Sequence, residues 1–403
     1  MSGLPRGAAN RIVVGGTTLT WAELPALDLP SPAVVVAATA TEALAAAWHQ
    51  ATHGGELLIT TPGRIELLRD ELLAAGFSIV EGDKVQSPSA VRDAEPDRLW
   101  LLTSGSTGRP KRIGHTLASL TTVKGDQAAR TWLCPYLPGT YAWWQVVTLG
   151  LTQPGQDVAV VEQSELETWP VVAAEHGVTA VSGTPTFWRQ TLYRGTEELA
   201  KVPLTQITLG GEPVDQAIID QLRAVFPDTR ISWIYASSEV GAAIVVHDGR
   251  AGFPIAWLGK ESPDRPTLAV DGDELVIASP HHGAGLEGAV RTGDRVEIVD
   301  DRVLVVGRLN SDEINVGGSK ISAGIVRNVL SAHPGVAWAR VFGRRSPVVS
   351  TIVAAEVVLR TPGAADEGDL MRWCAARLPE YGVPRRIRFL DAIPVKETLK
   401  SDV

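Results

Sequence analysis

The chain contains only two cysteines, Cys134 and Cys374, far apart and without C-x-x-C spacing. This excludes a disulfide framework and a cysteine zinc site, and ordinary burial is the expected fate of both thiols. The eight histidines show no H-E-x-x-H or comparable ligand spacing. The adjacent His281 and His282 read as a loop pair, because neighbours on a regular element point in different directions. Positive charge is in deficit: 37 Lys and Arg stand against 46 Asp and Glu, a net charge of −9. That balance disfavours nucleic acid and anionic lipid as partners and points to small-molecule chemistry. Long apolar runs are missing as well. The run 33–38 is far short of a membrane span, and no basic segment followed by an apolar core opens the chain. A cytoplasmic protein is expected. Internal repeats and low-complexity tracts are absent too.

What is present is a globular composition. Hydrophobic residues make up 44% and charged residues 21% of 403 positions, enough to bury a full core in two domains or in one large and one small domain. From the N-terminus, strand and helix patterns alternate: a strand at 33–38, an Ala-rich helix at 41–52, a strand at 57–60 and an amphipathic helix at 65–75. The alternation predicts layered α/β structure with parallel strands. A helix at 115–129, strands at 157–161, 178–182, 207–209 and 231–235, and helices at 169–175 and 215–226 continue the pattern. Near Gly272 the texture changes to closely spaced strands at 274–278, 296–299 and 303–306, joined by Asp-containing turns, which predicts a small antiparallel subdomain. Beyond Arg308, helices at 323–332 and 367–378 with strands at 337–342, 351–359 and 386–390 predict a compact α+β unit. The polar stretch 361–368 reads as a loop. The fold class is therefore α/β: a large layered N-terminal domain over 1–309 with a small β subdomain, and a small mobile α+β C-terminal domain over 310–403.

The strongest local signal is a hydroxyl-rich glycine loop running from Thr103 through Ser104, Gly105, Ser106, Thr107 and Gly108 to Lys111, directly after the apolar run 99–102. Its glycines let backbone N–H groups turn inward, and its hydroxyls and lysine suit phosphate. It is not a P-loop, because Pro110 stands where that motif needs its second glycine and would interrupt a following helix. A flexible clamp is expected instead. Three further segments fit a nucleotide: Gly210, Gly211, Glu212 and Pro213 after one strand; Tyr235, Ser238 and Glu239 after another; and Thr292, Gly293 and Asp294.

In this order the segments resemble the adenylate-forming superfamily of acyl-CoA and aryl-CoA synthetases, peptide-synthetase adenylation domains and luciferases. Residues 103–111 resemble its phosphate loop, 211–213 its adenine turn, 235–239 its Y-G-x-T-E segment, and 292–294 its T-G-D. Gly307 and Arg308 resemble its G-R, 314–321 the loop opening its mobile domain, and 394–400 its closing P-x-T-x-x-G-K. The resemblance implies ATP as substrate, Mg²⁺ on Glu239, Tyr235 stacked on adenine, and Asp294 on the ribose hydroxyls. It also implies Arg308 on ribose or phosphate, Ser238 on the α-phosphate, and Lys400 bridging the attacking carboxylate and the α-phosphate. The reaction implied is carboxylate attack on the α-phosphorus, giving acyl-AMP and pyrophosphate.

Departures accompany the match. Only 102 residues precede the loop, so a shortened N-terminal region is expected, although 19–24 resemble the early L-T-Y-x-E-L segment. Ala236 replaces a glycine, Asn310 the hinge Asp, and Leu399 the glycine before the lysine. Lys396 stands near the usual Thr and rivals Lys400. Three residues follow Lys400, so little is expected to pin it. The acyl pocket implied by the resemblance carries Tyr141, Trp143, Trp144, Thr184, Phe187, Trp188 and Gly210. Bulky rings there favour a compact aryl or short unsaturated acid. Gly317, Gly318 and Lys320 suit a pantetheine channel, so CoA and the phosphopantetheine of an acyl carrier protein are both open as acceptors. Three other readings compete: capture of the adenylate by an amine, activation of nitrite, and a catalytically silent nucleotide binder.

Overall fold

Apolar β-branched runs in the first 250 residues build two sheets whose central strands are parallel. The structure, a computed structural model, describes residues 4–103, 110–123, 125–262, 265–280, 282–283, 288–309, 312–345 and 351–401. In the first sheet, Lys84–Gln86, Ser78–Glu81, Ala33–Val36, Glu56–Thr60, Arg98–Thr103 and Lys111–His115 lie side by side. The four inner strands are parallel, and an antiparallel strand closes each edge. The second sheet runs Gly241–Val246, Arg230–Ser237, Gln206–Gly210, Ala180–Gly183, Arg130–Cys134, Gln156–Val160, Arg11–Val14 and Thr17–Thr20. Its six inner strands are parallel, and they are buried runs covered by helices, as crossover connections require.

Three predicted elements match their observed bounds: the helix Trp169–Glu175 and the strands Glu274–Ala278 and Thr351–Leu359. Two predicted helices differ. Among the described residues the helix expected over 115–129 is mostly absent: Lys111–His115 is a strand that pairs back on Arg98–Thr103, and of the described residues only Leu117–Leu120 is helical, capped by Thr116. Thr121, Thr122 and Val123, which follow that turn, are β-branched, and Gly125 takes a positive φ of 77°, so nothing local sustains a longer helix. The helix expected over 65–75 splits into Pro62–Ile65 and Arg69–Ala74, which lets Ile65, Leu68 and Leu72 all bury against the first sheet.

The antiparallel subdomain is a five-stranded sheet ordered Phe253–Pro254, Arg302–Arg308, Ala289–Val299, Glu274–Ala278 and Thr267–Asp271. Beyond it, Val336–Arg345, Thr351–Leu359 and Arg386–Phe389 form a three-stranded sheet, joined by the hairpin Glu313–Val316 and Ser319–Ser322. This last region has its own core of Val326, Leu330, Val341, Val357, Leu370 and neighbours, separate from the main core. No described helix is long and apolar enough to cross a membrane.

Candidate active site

Parallel strands deliver their C-terminal ends to one edge of the sheet, and that edge is where α/β proteins place ligands. Gly183 is in register with Leu209, and Gly210 with Ile234. These strand ends therefore lie side by side: Thr184 follows the first, Gly211, Glu212 and Pro213 follow the second, and Tyr235 stands in the last residues of the third, with Ser238 and Glu239 just after it. A bulge between Tyr235 and Ala236 re-aims the third turn, a device common beside functional sites. Gly211 has a φ of 82°, and a Cβ built there would lie 3.3 Å from Lys400 Cε and 3.7 Å from Thr184 Cγ2. Glycine is required at this point by both backbone and space.

Asp294 and Arg308 are direct cross-strand partners in the subdomain sheet, and the guanidinium Nε lies 3.0 Å from the carboxylate. The Tyr235 hydroxyl donates to the other Asp294 oxygen. Arg308 also donates to the Thr292 carbonyl at 2.9 Å, and Gly293 N–H to Glu274 at 2.9 Å, so the T-G-D turn is braced from both sides. Burial raises the Asp294 pKa, with Asp312 and Glu239 acting the same way, while Arg308 and Tyr235 oppose the rise. Burial next to this carboxylate pushes the Tyr235 phenol far up, which keeps it a neutral donor.

Lys400 reaches this cleft. The residue is solvent-accessible, yet its ammonium is desolvated by the protein around it. That desolvation lowers its pKa; Glu212 and Asp294 oppose the shift and Arg308 adds to it. The expectation that little would pin this lysine is overturned. The Thr184 hydroxyl donates to the Leu399 carbonyl, Ser401 N–H donates to Glu212 at 2.9 Å, and the Ser401 hydroxyl bonds Thr186 at 2.8 Å. Glu212 also accepts from Thr186 N–H at 2.9 Å and its hydroxyl at 3.0 Å. In this structure Glu212 therefore braces the lysine's segment. Lys396 is exposed, and its N–H donates to the Lys400 carbonyl at 2.8 Å.

The remaining positions separate into three groups. Trp143, Trp144 and Trp188 are fully buried within the main core, and Phe187 stacks on Trp169, so these rings are core packing, while Tyr141 is only partly buried. Thr103 and Lys111 face each other across a strand pair. Ser104, Gly105, Ser106, Thr107, Gly108, His281 and the hinge candidate Asn310 lie outside the described residues, as does the flexible-clamp reading. Lys320 pairs with Glu313 at 2.8 Å on the hairpin that Gly317 and Gly318 turn.

Sequence reasoning missed several residues at the site. Buried His115, at the end of the strand leaving the glycine loop, donates from Nε2 to the Ser238 carbonyl at 2.8 Å. Its Nδ1 is then free to accept from Ser119 at 3.1 Å. Burial lowers its pKa and keeps the imidazole neutral. Tyr136 and Ser182, just beyond or within adjacent strand ends, share a 3.1 Å hydrogen bond. Thr186 and Ser401 complete the bracing of the lysine segment. A lone hydroxyl or histidine carries no spacing signal, so only the strand register could have found them.

The sequence profile of the AMP-binding enzyme family matches residues 28–301. The chain belongs to that family. The family's C-terminal domain profile matches residues 326–400. This AMP-binding enzyme is thus an AMP-forming ligase of the acyl-CoA and aryl-CoA synthetase kind, as the resemblance implied. A feruloyl-CoA synthase of Amycolatopsis sp is 27% identical, over 88% of this chain and 79% of that protein. Two solved structures share its fold. The anthranilate CoA ligase AuaEII in complex with anthranoyl-AMP has a TM-score of 0.75 at 15% identity, covering 98% of this chain and 93% of that one. The amide bond synthetase McbA from Marinactinospora thermotolerans has a TM-score of 0.71 at 19% identity, covering 98% and 96%.

Proposed function

We propose that this enzyme adenylates a compact aryl or short unsaturated carboxylic acid and passes the acyl group to a thiol, that of CoA or of carrier-protein pantetheine. The observation that carries the reading is the seating of Lys400 against Gly211 and Thr184, in the same cleft as Tyr235, Asp294 and Arg308. The Tyr235 ring offers adenine a face. Asp294 accepts from ribose hydroxyls once Arg308 or Tyr235 yields an oxygen, and Arg308 turns to phosphate. Ser238, held by His115, places its hydroxyl for the α-phosphate.

A substrate carboxylate oxygen attacks the α-phosphorus, the bond to the bridging oxygen breaks, and pyrophosphate leaves with the electron pair. Lys400 offsets the negative charge that grows between the two anions. The thiol sulfur then attacks the acyl carbon, its proton is lost, and AMP departs. Among the described residues no three or more His, Cys, Asp or Glu side chains cluster as a metal site. The single carboxylate of Glu239 fits Mg²⁺, which takes one or two carboxylates and completes its shell with water and phosphate oxygens. Glu239 would hold it, and the ion would neutralise phosphate charge. The feruloyl-CoA and anthranilate relatives support an aryl acid, and the thiol acceptor follows the same group. We place the domain division at 309/310.

Pyrophosphate exchange into ATP across a panel of aryl and short acids, with nitrite plus aryl amines included, tests the reading. Exchange with an aryl acid is expected in the wild type, lost in Lys400→Ala and largely spared in Lys396→Ala. Tight AMP binding without exchange for any acid would instead support a silent binder. Product mass spectrometry with CoA or a pantetheinylated carrier identifies the acceptor.

A further inference from the structure

Three described non-glycine residues have a positive φ: Asp97, Asp300 and Leu399. Aspartate tolerates this region because its short side chain bonds locally, but leucine does not. Leu399 nevertheless sits at φ 60°, with 2% of its surface exposed. Its side chain belongs to the main core, with residues of the first 303 positions, although its chain segment follows the smaller core of residues 314–387.

The backbone around it is tied on every side. Leu399 N–H donates to the Lys396 carbonyl at 2.8 Å, and the Leu399 carbonyl accepts the Thr184 hydroxyl. One residue beyond Lys400, the Ser401 hydroxyl accepts from the Trp338 indole N–H at 3.1 Å, alongside the bonds to Glu212 and Thr186. Lys400 is thus flanked by an apolar plug on one side and a three-partner polar anchor on the other. The Leu399 carbonyl bonds Thr184, and Ser401 bonds Thr186 and Glu212, so both flanks of Lys400 are tied to segments 184–186 and 211–213. A strained backbone persists only where the surroundings over-determine it, and here the surroundings are the burial of the leucine side chain.

We propose that Leu399 is a positioning residue: its side chain, plugged into the core of the large domain, fixes where the neighbouring Lys400 ammonium stands in the cleft. The proposal rests on the adenylating role of Lys400 given above. A tail held only by backbone hydrogen bonds would leave a long, flexible lysine to search for the α-phosphate, and the plug removes that freedom before substrate arrives.

Three substitutions test it: Leu399→Ala loses the plug while a left-handed backbone still costs strain, Leu399→Gly loses both plug and strain, and Leu399→Met keeps an apolar plug. Pyrophosphate exchange at saturating ATP is expected to fall roughly 10- to 100-fold in the Ala and Gly variants. The KM for ATP should stay within about twofold, because the nucleotide's other contacts are intact. Leu399→Met should retain most of the rate. Hydrogen exchange of the peptide 393–401, read by mass spectrometry, should quicken in the Ala and Gly variants and not in Met. Wild-type rate together with wild-type protection in Leu399→Gly would overturn the proposal. Should the wild-type enzyme itself show no exchange with any acid, the adenylation reading fails, whereas the plug is still decided by the hydrogen-exchange result alone.

Discussion

In the proposed reaction Lys400 depends on two neighbours that have no chemistry of their own. Gly211 leaves the room its methylene stem occupies, and Leu399 anchors the backbone from which it projects. Burying a leucine is worth about 1.5–3 kcal/mol, against about 1–3 kcal/mol for a residue held in a sparsely populated backbone region, so the conformation is affordable only with the plug in place. The lowered Lys400 pKa sets a pH dependence with a definite sign. The ammonium must be charged to act, so kcat/KM for adenylation should fall on the alkaline side at a lower pH than the roughly 10.4 of an ordinary lysine. Bound phosphates favour the ammonium, so the limb in kcat should lie at higher pH than that in kcat/KM. Lys400→Arg should remove the alkaline limb from whatever activity remains, because a guanidinium does not deprotonate in this range. The two cysteines are inert by the same burial argument: desolvation raises Cys134 to about 12 and Cys374 to about 11.

At the scale of elements, the strand Lys111–His115 joins two segments of the proposed site. It leaves the glycine loop at one end, and His115 at its other end grips the Ser238 carbonyl in the neighbouring sheet. The bond needs only a neutral donor, and the folded pKa is lowered below the unfolded value. Stability from this group is therefore complete above the unfolded value of about 6.5 and is lost as pH falls from there toward the folded value. Denaturant unfolding followed between pH 7 and 5 should show that loss in the wild type and a smaller one in His115→Asn, whose amide donates without titrating. His115→Ala should weaken the positioning of Ser238 and lower exchange activity at neutral pH. Much of this arrangement was legible as type and order of elements: alternating apolar runs foretold the parallel sheets, and Asp-containing turns foretold the antiparallel one. The hairpin around the glycine loop was not. Residues 111–115 alternate basic, apolar and small side chains without a clear period, and only pairing with Arg98–Thr103 makes them a strand.

Across the whole molecule, two cores meet at a third, small cluster in which Trp338, Val358 and Ile393 pack with Tyr193 from the helix Pro185–Arg194. Trp338 is 1% exposed and also donates to Ser401, so the same indole that fills the contact helps hold the lysine segment. Trp338→Ala should cost about 3–5 kcal/mol in stability by denaturant unfolding. It should also lower exchange activity, whereas an equally destabilising truncation inside the smaller core, such as Leu330→Ala, should spare the rate of the folded fraction. Nearby, Arg189 and Asp215 form a buried ion pair, and the buried Arg327 has its charge disfavoured by desolvation and by Arg189. Polar groups so enclosed hold a fixed arrangement only while each keeps a partner.

By itself the sequence determined the alternating α/β texture, the antiparallel change near Gly272, the family and the residue types that make a nucleotide site, because periodicity and motif spacing are local properties that survive without a fold. It placed Tyr235, Asp294, Arg308 and Lys400 in the same site by resemblance. Only the tertiary structure decided what holds them there: the parallel register that sets the strand ends side by side, the cross-strand pairing of Asp294 with Arg308, and the reach of His115 to Ser238. It also turned Leu399, a departure from the family's glycine, into a buried plug. Burial and long-range contact depend on what the rest of the chain brings alongside, and no local pattern in residues 394–401 records that a leucine at a left-handed turn has a core to enter.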